Sequence, residues 1–173
     1  IDIHIIKIFE VNQLKQLREE FLNECENFQE FETQKNVKYV LGGFGALGNP
    51  SSFHNMFVRK IRFEVYKNVK NYFKETHKNK NIEMFFDRML LRKAGDSPSR
   101  EKWHRDITPN LENNDIVYGG WLNLDEKSNY FSCIPGSDQK ENNITGFVKI
   151  QKEEFINLNK IKEKIEILPG HII

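Results

Sequence analysis

The chain has 173 residues, 38% hydrophobic, 29% charged and 12% aromatic, and its 26 Lys+Arg against 25 Asp+Glu leave a formal charge of +1. At this length one domain is expected, and folding should bury roughly 70% of the unfolded surface. The aromatic load, 14 Phe above all, excludes a disordered chain. The near-neutral balance disfavours nucleic acid as the main partner, because a phosphate-binding protein needs a cationic excess.

Residues 1 to 9 alternate as a short strand does. From Val11 the period changes: Val11, Leu14, Leu17, Phe21, Cys25 and Phe28 recur at spacings of three and four, which places them on one face of a helix. The glycine-rich stretch from Gly42 to Ser52 lacks the Gly-Lys-Ser/Thr ending of a phosphate-binding loop and is expected to be a plain loop. Phe57, Ile61, Val65, Val69 and Phe73 predict a second amphipathic helix from Phe53 to about His77. Its other face carries Arg59, Lys60, Arg62, Lys67, Lys70 and Lys74. A solvated surface is the expected role of such a run, with docking of an anionic partner, nucleic acid included, the less favoured alternative.

After Asn81 the pattern turns strand-like. Short β-leaning runs are expected at Ile82–Arg92, Lys102–Ile107, Ile116–Leu124, Tyr130–Ile134, Ile144–Ile150 and Ile165–Leu168, with one helix over Lys152–Lys164. Helices followed by many antiparallel strands predict an α+β protein. It is read as a single domain over 1–173, with a mainly helical part over 1–80 and a β-rich core over 82–173.

The two cysteines, Cys25 and Cys133, form no CxxC pair, so a zinc knuckle is excluded and two reduced thiols are expected. No apolar run approaches the ~18 residues of a membrane span, and the opening residues have no signal-peptide architecture. A cytoplasmic location without a membrane partner is therefore the expectation. The chain starts at Ile1 and ends at Ile173, and both ends are expected to be cuts through a longer protein.

The segment that carries chemistry is Trp103-His104-Arg105-Asp106. Residues two apart in a strand share a face, so His104 and Asp106 are expected to project together. An imidazole and a carboxylate so placed are two members of the 2-His-1-carboxylate set that holds non-haem Fe(II) and leaves coordination positions open. A lone His-x-Asp is a weak signal, because short motifs arise by chance.

Four further blocks strengthen it: Leu90-Leu91-Arg92-Lys93-Ala94-Gly95, Trp121-Leu122-Asn123-Leu124-Asp125, Cys133-Ile134-Pro135-Gly136-Ser137-Asp138 and Leu168-Pro169-Gly170-His171. In this order, residues 82–173 resemble the phytanoyl-CoA dioxygenase-like branch of the Fe(II)/2-oxoglutarate oxygenases, and look like homologues carried by large DNA viruses. The resemblance implies a double-stranded β-helix (jelly roll, cupin-like) with the N-terminal helices packed against it, cut before its last strands. It implies an oxidoreductase, a dioxygenase that hydroxylates a small-molecule or peptide substrate and releases succinate and CO2. His104 and Asp106 are then the first two iron ligands and catalytic residues. Arg92, with Arg88 as second candidate, is the expected anchor of the distal carboxylate of 2-oxoglutarate, because a guanidinium fork matches a carboxylate. Trp121 and Asn123 are expected to line the cofactor pocket, and Pro135-Gly136-Ser137 to be a positioning turn.

The chain departs from the family in two places. Asp138 stands where the family often has His, and His171 where it has Asp. The third iron ligand falls beyond Ile173 in the family pattern, with His171 the alternative inside the chain. A non-catalytic jelly-roll binding module lacking a complete metal site is the rival function.

Overall fold

The computed structural model describes residues 3–32, 56–78, 80–84, 89, 103–107, 116–137 and 146–173, with the backbone alone at 22, 24–32, 105–107 and 146–149. Contacts divide the chain into two compact units, one of Ile6–Ser99 and one of Ile1–Ile5 with Arg100–Ile173.

The helical unit holds a two-residue strand β1 (Ile6–Lys7) and two long helices, α1 (Val11–Glu32) and α2 (Met56–Phe73). Local chemistry fixes the start of α1. The backbone N–H of Glu10, the residue before the helix, donates to Gln13 Oε1 at 2.9 Å, and Leu14 N–H donates to Glu10 O at 2.9 Å. This is the back-reaching half of a capping box. Phe9 and Leu14 flank it at the two positions of a hydrophobic staple, and both are buried.

Leu14, Leu17 and Phe21 form the buried stripe of α1, as the periodicity predicts. Val11 does not join them and is 69% exposed. At about 100° per residue it stands roughly 90° from the centre of that stripe, off its edge. On α2 the buried set is Phe57, Val58, Ile61, Val65 and Phe73, with Val69 only half-buried. Val58 and Val69, eleven residues apart, lie on nearly the same side of the helix, so the difference between them is one of position along the axis and not of face. The Phe21 and Phe57 rings meet at 5.0 Å, and Lys60 Nζ bridges to Glu20 Oε2 at 2.7 Å beside them.

The second helix ends at Phe73 rather than His77: His77 N–H donates to Phe73 O at 2.8 Å within a closing turn. Tyr66 then donates its hydroxyl to Ile82 O at 3.1 Å. Residues 82–84 and 89 are not in strand, and the rest of the run expected over Ile82–Arg92 lies outside the described residues, as does the loop at Gly42–Ser52. No helix among the described residues is long and apolar enough to cross a membrane.

The other unit holds two antiparallel ribbons. Strand β2 (His104–Ile107) pairs with β4 (Gly146–Lys149), in the register His104 opposite Lys149 and Ile107 opposite Gly146. Strand β3 (Asn129–Cys133) pairs with β5 (Glu163–Ile167), in the register Asn129 opposite Ile167 and Cys133 opposite Glu163. One face of the second ribbon carries Asn129, Cys133, Ile165 and Ile167; the other is exposed, and there Lys164 Nζ sits 3.9 Å from the Tyr130 ring centroid.

Each strand of this ribbon leaves through a Pro-Gly turn. Ser137 N–H donates to Ile134 O and His171 N–H to Leu168 O, both at 3.1 Å, with Gly136 and Gly170 at φ of 72° and 75°. Proline at the second position and a positive φ at the third define the type II turn, which glycine enters without steric cost.

Helix α3 (Lys152–Leu158) is shorter than the expected Lys152–Lys164. Glu163 and Lys164 belong to β5 and pair with Cys133 and Ser132. Their long-range pairing overrides the local helical pattern. The last strand, β6 (His171–Ile172), lies antiparallel to 121–123 through a bridge between Leu122 and Ile172. The chain therefore mixes helix with small antiparallel sheets.

Candidate metal centre and its surroundings

Strand β2 is extended from His104 to Ile107. Period-two alternation puts positions 104 and 106 on the same face of it. The His104 side chain is half-buried. That of Asp106 lies outside the described side chains. Trp103, just before the strand, is half-buried; its carbonyl accepts Ile150 N–H at 3.2 Å and its ring packs 6.2 Å from that of Phe155 on α3. It holds the start of β2 against α3, as a core aromatic does.

A second cluster forms where 121–123 meets the chain end. Trp121 and Ile173 exchange both backbone bonds at 3.1 Å, Asn123 N–H donates to His171 O at 2.9 Å, and Gly170 N–H donates to Asn123 O at 2.8 Å. Gly120 enters this ladder with no room for a side chain: a Cβ there would stand 2.9 Å from Ile173 O. Trp121 is half-buried.

Asn123 is fully buried. Its Nδ2 donates to Lys127 O and Ile167 O, each at 2.9 Å, and its Oδ1 accepts from Asp125 N–H at 2.9 Å and Asn129 Nδ2 at 3.0 Å. Two donors and two acceptor sites are all that a primary amide offers. The side chain is thus fully committed to the protein and ties the 124–129 turn to the end of β5. The expectation that Asn123 lines the cofactor pocket does not foresee this clamp. The local part of the signal was present, since an Asn side chain readily accepts the backbone N–H two residues on, the Asx turn that Asp125 N–H completes here.

His171 has its Nδ1 3.0 Å from Pro169 O. A carbonyl can only accept, so Nδ1–H is the donor in this contact, which leaves Nε2 as the nitrogen that could offer a lone pair to a metal. Metal-binding imidazoles use the same arrangement, in which a backbone carbonyl fixes the tautomer. Cys133, opposite Glu163, has its thiol pKa raised, first by burial and then by the neighbouring carboxylate.

Arg88, Arg92 and Asp138 lie outside the described residues. Among the described residues no three His, Cys, Asp or Glu side chains stand close enough together to hold a metal ion. No protein-family model, curated protein or solved structure matches the chain.

Proposed function

We propose that this chain is the core of an Fe(II)- and 2-oxoglutarate-dependent oxygenase built on a double-stranded β-helix. The observation that supports the reading best is the extended conformation of β2, which gives His104 and Asp106 a common face. One imidazole nitrogen and one carboxylate oxygen are the donors that non-haem iron takes from a facial set. His104 and Asp106 would hold the ion, with His171 the candidate third donor within the chain. The metal, when bound, supplies oxygen activation coupled to oxidative decarboxylation of 2-oxoglutarate to succinate and CO2.

The chain's own residues do the rest. The Trp103–Phe155 contact and the Ile150–Trp103 bond fix the end of β2 that presents His104. Arg92, or Arg88, would receive the distal carboxylate of the cosubstrate through a guanidinium fork. Trp121, half-buried and backbone-paired to Ile173, would present its ring as a pocket wall.

A binding module with the same fold is the second reading. It is favoured by Asn123, whose amide is used up inside the chain. Incubation with Fe(II), ascorbate and 2-oxoglutarate separates the two. The oxygenase reading expects slow uncoupled succinate release that His104→Ala abolishes. Succinate at the level of free iron in both proteins would favour the module.

A further inference from the structure

We propose that the exposed face of α2 binds single-stranded nucleic acid, a function separate from the candidate metal centre. Met56, Lys60, Phe63, Lys67, Lys70 and Lys74 follow one another at spacings of 4, 3, 4, 3 and 4, and all six are exposed. They form one stripe down the helix and its closing turn, on the side opposite the buried Phe57, Ile61 and Val65. The stripe contains no acid. Arg59, also exposed, borders it. From Lys60 to Lys74 it runs about 21 Å.

The charge is concentrated here and not spread over the molecule. Helix α2 carries Arg59, Lys60, Arg62, Lys67 and Lys70 against Glu64, a net +4, so the rest of a +1 chain sums to −3. The overall balance that argues against nucleic acid thus conceals a local cationic track. Two of its lysines are held in exposed ion pairs, Lys60 with Glu20 at 2.7 Å and Lys67 with Glu64 at 2.6 Å. Such pairs are weak enough to exchange for phosphate.

The aromatic groups choose among anionic partners. Phe63 is 63% exposed in the middle of the stripe, with Lys67 Nζ 6.0 Å from its ring centroid, and Lys70 Nζ lies 5.4 Å from the ring of half-buried Tyr66. A cationic track with an open aromatic ring is the recognition chemistry of unpaired bases: phosphates on the cations, a base on the ring. A membrane surface fits less well. An interfacial helix buries a broad apolar face in lipid, whereas the apolar face of α2 is spent inside the protein and the stripe offers only Met56 and Phe63.

The test is fluorescence anisotropy of labelled oligo-dT and oligo-U with the full chain, between about 50 and 200 mM salt. Both strands should bind with an affinity that falls steeply with salt, and more tightly than a duplex of equal length; the two arms show whether DNA or RNA is preferred. Exchanging Lys67, Lys70 and Lys74 together for Gln should lower the magnitude of the log–log salt slope by about 2, at roughly 0.7 for each phosphate no longer neutralised. Phe63→Ala should weaken binding about tenfold and leave the slope unchanged. Lys164→Gln, which removes a cation beside an exposed ring in the other unit, should change nothing. All these side chains are exposed, and a circular dichroism spectrum identical to wild type qualifies each variant. Absent binding at low salt, an unchanged slope in the triple variant, no loss with Phe63→Ala, or preference for phosphatidylserine vesicles over the oligonucleotides would each overturn the proposal.

Discussion

The side-chain amide of Asn123 donates to the backbone carbonyl of Ile167 at 2.9 Å across 44 positions of sequence, and both residues are fully buried. Three further bonds saturate the same amide. Asn123→Ala removes all four at once and leaves polar groups without partners in the interior. We expect a loss of about 2–4 kcal/mol in urea denaturation. A loss below about 0.5 kcal/mol, the scale of an ordinary surface change, would contradict the clamp.

Neighbouring glycines separate packing from flexibility. A Cβ on Gly120 would meet Ile173 O at 2.9 Å, whereas one on Gly119 meets nothing within 4 Å. Gly120→Ala should therefore cost about 1–3 kcal/mol as an overpacking strain, while Gly119→Ala should be close to neutral. Paired thermal melts decide it, and equal shifts in Tm would count against the ladder between 121–123 and the chain end.

The core of the helical unit offers a similar contrast. Phe21→Ala should cost about 3–5 kcal/mol, since it empties a buried site against Phe57. Val11→Ala, at a position 69% exposed, should change stability by less than about 0.5 kcal/mol. Denaturant midpoints for the two variants check both.

Cys133 gives a pH signature. Burial, assisted by Glu163, raises its thiol pKa above the ordinary value of 9.0. The folded state therefore holds the thiol proton more tightly than the unfolded chain. The resulting stability is present below the unfolded pKa and is lost as pH rises through the folded value. In a Cys25→Ser background, iodoacetamide at mildly alkaline pH should modify Cys133 more slowly than a free cysteine peptide, and Glu163→Gln should speed the reaction. Alkylation at the peptide's rate would contradict the assigned environment.

These residues also show what could be read from the sequence. Leu14, Leu17 and Phe21, or Phe57, Ile61 and Val65, announce themselves because helical periodicity is a local property. The Pro135-Gly136 turn was legible for the same reason, as one backbone geometry demands that dipeptide. The end of α3 was not, because Glu163 and Lys164 are drawn into β5 by partners about 30 positions earlier. Nor was the full role of Asn123, whose bond to Ile167 is invisible until the chain has folded. The candidate metal site divides along the same line. The two-residue spacing of His104 and Asp106 is local and could be read, whereas a third donor and a cosubstrate anchor depend on segments brought together only by tertiary structure.

The central claim is that His104 and Asp106 jointly hold a ferrous ion, and anaerobic titration of Fe(II) in the presence of 2-oxoglutarate tests it most directly. The visible charge-transfer absorption of an Fe(II)–2-oxoglutarate chelate should saturate at one ion per chain, and His104→Ala and Asp106→Ala should each abolish it while the fold, followed by circular dichroism, stays intact. Saturable one-to-one binding that survives both substitutions, or no binding by the wild-type chain, would contradict the account.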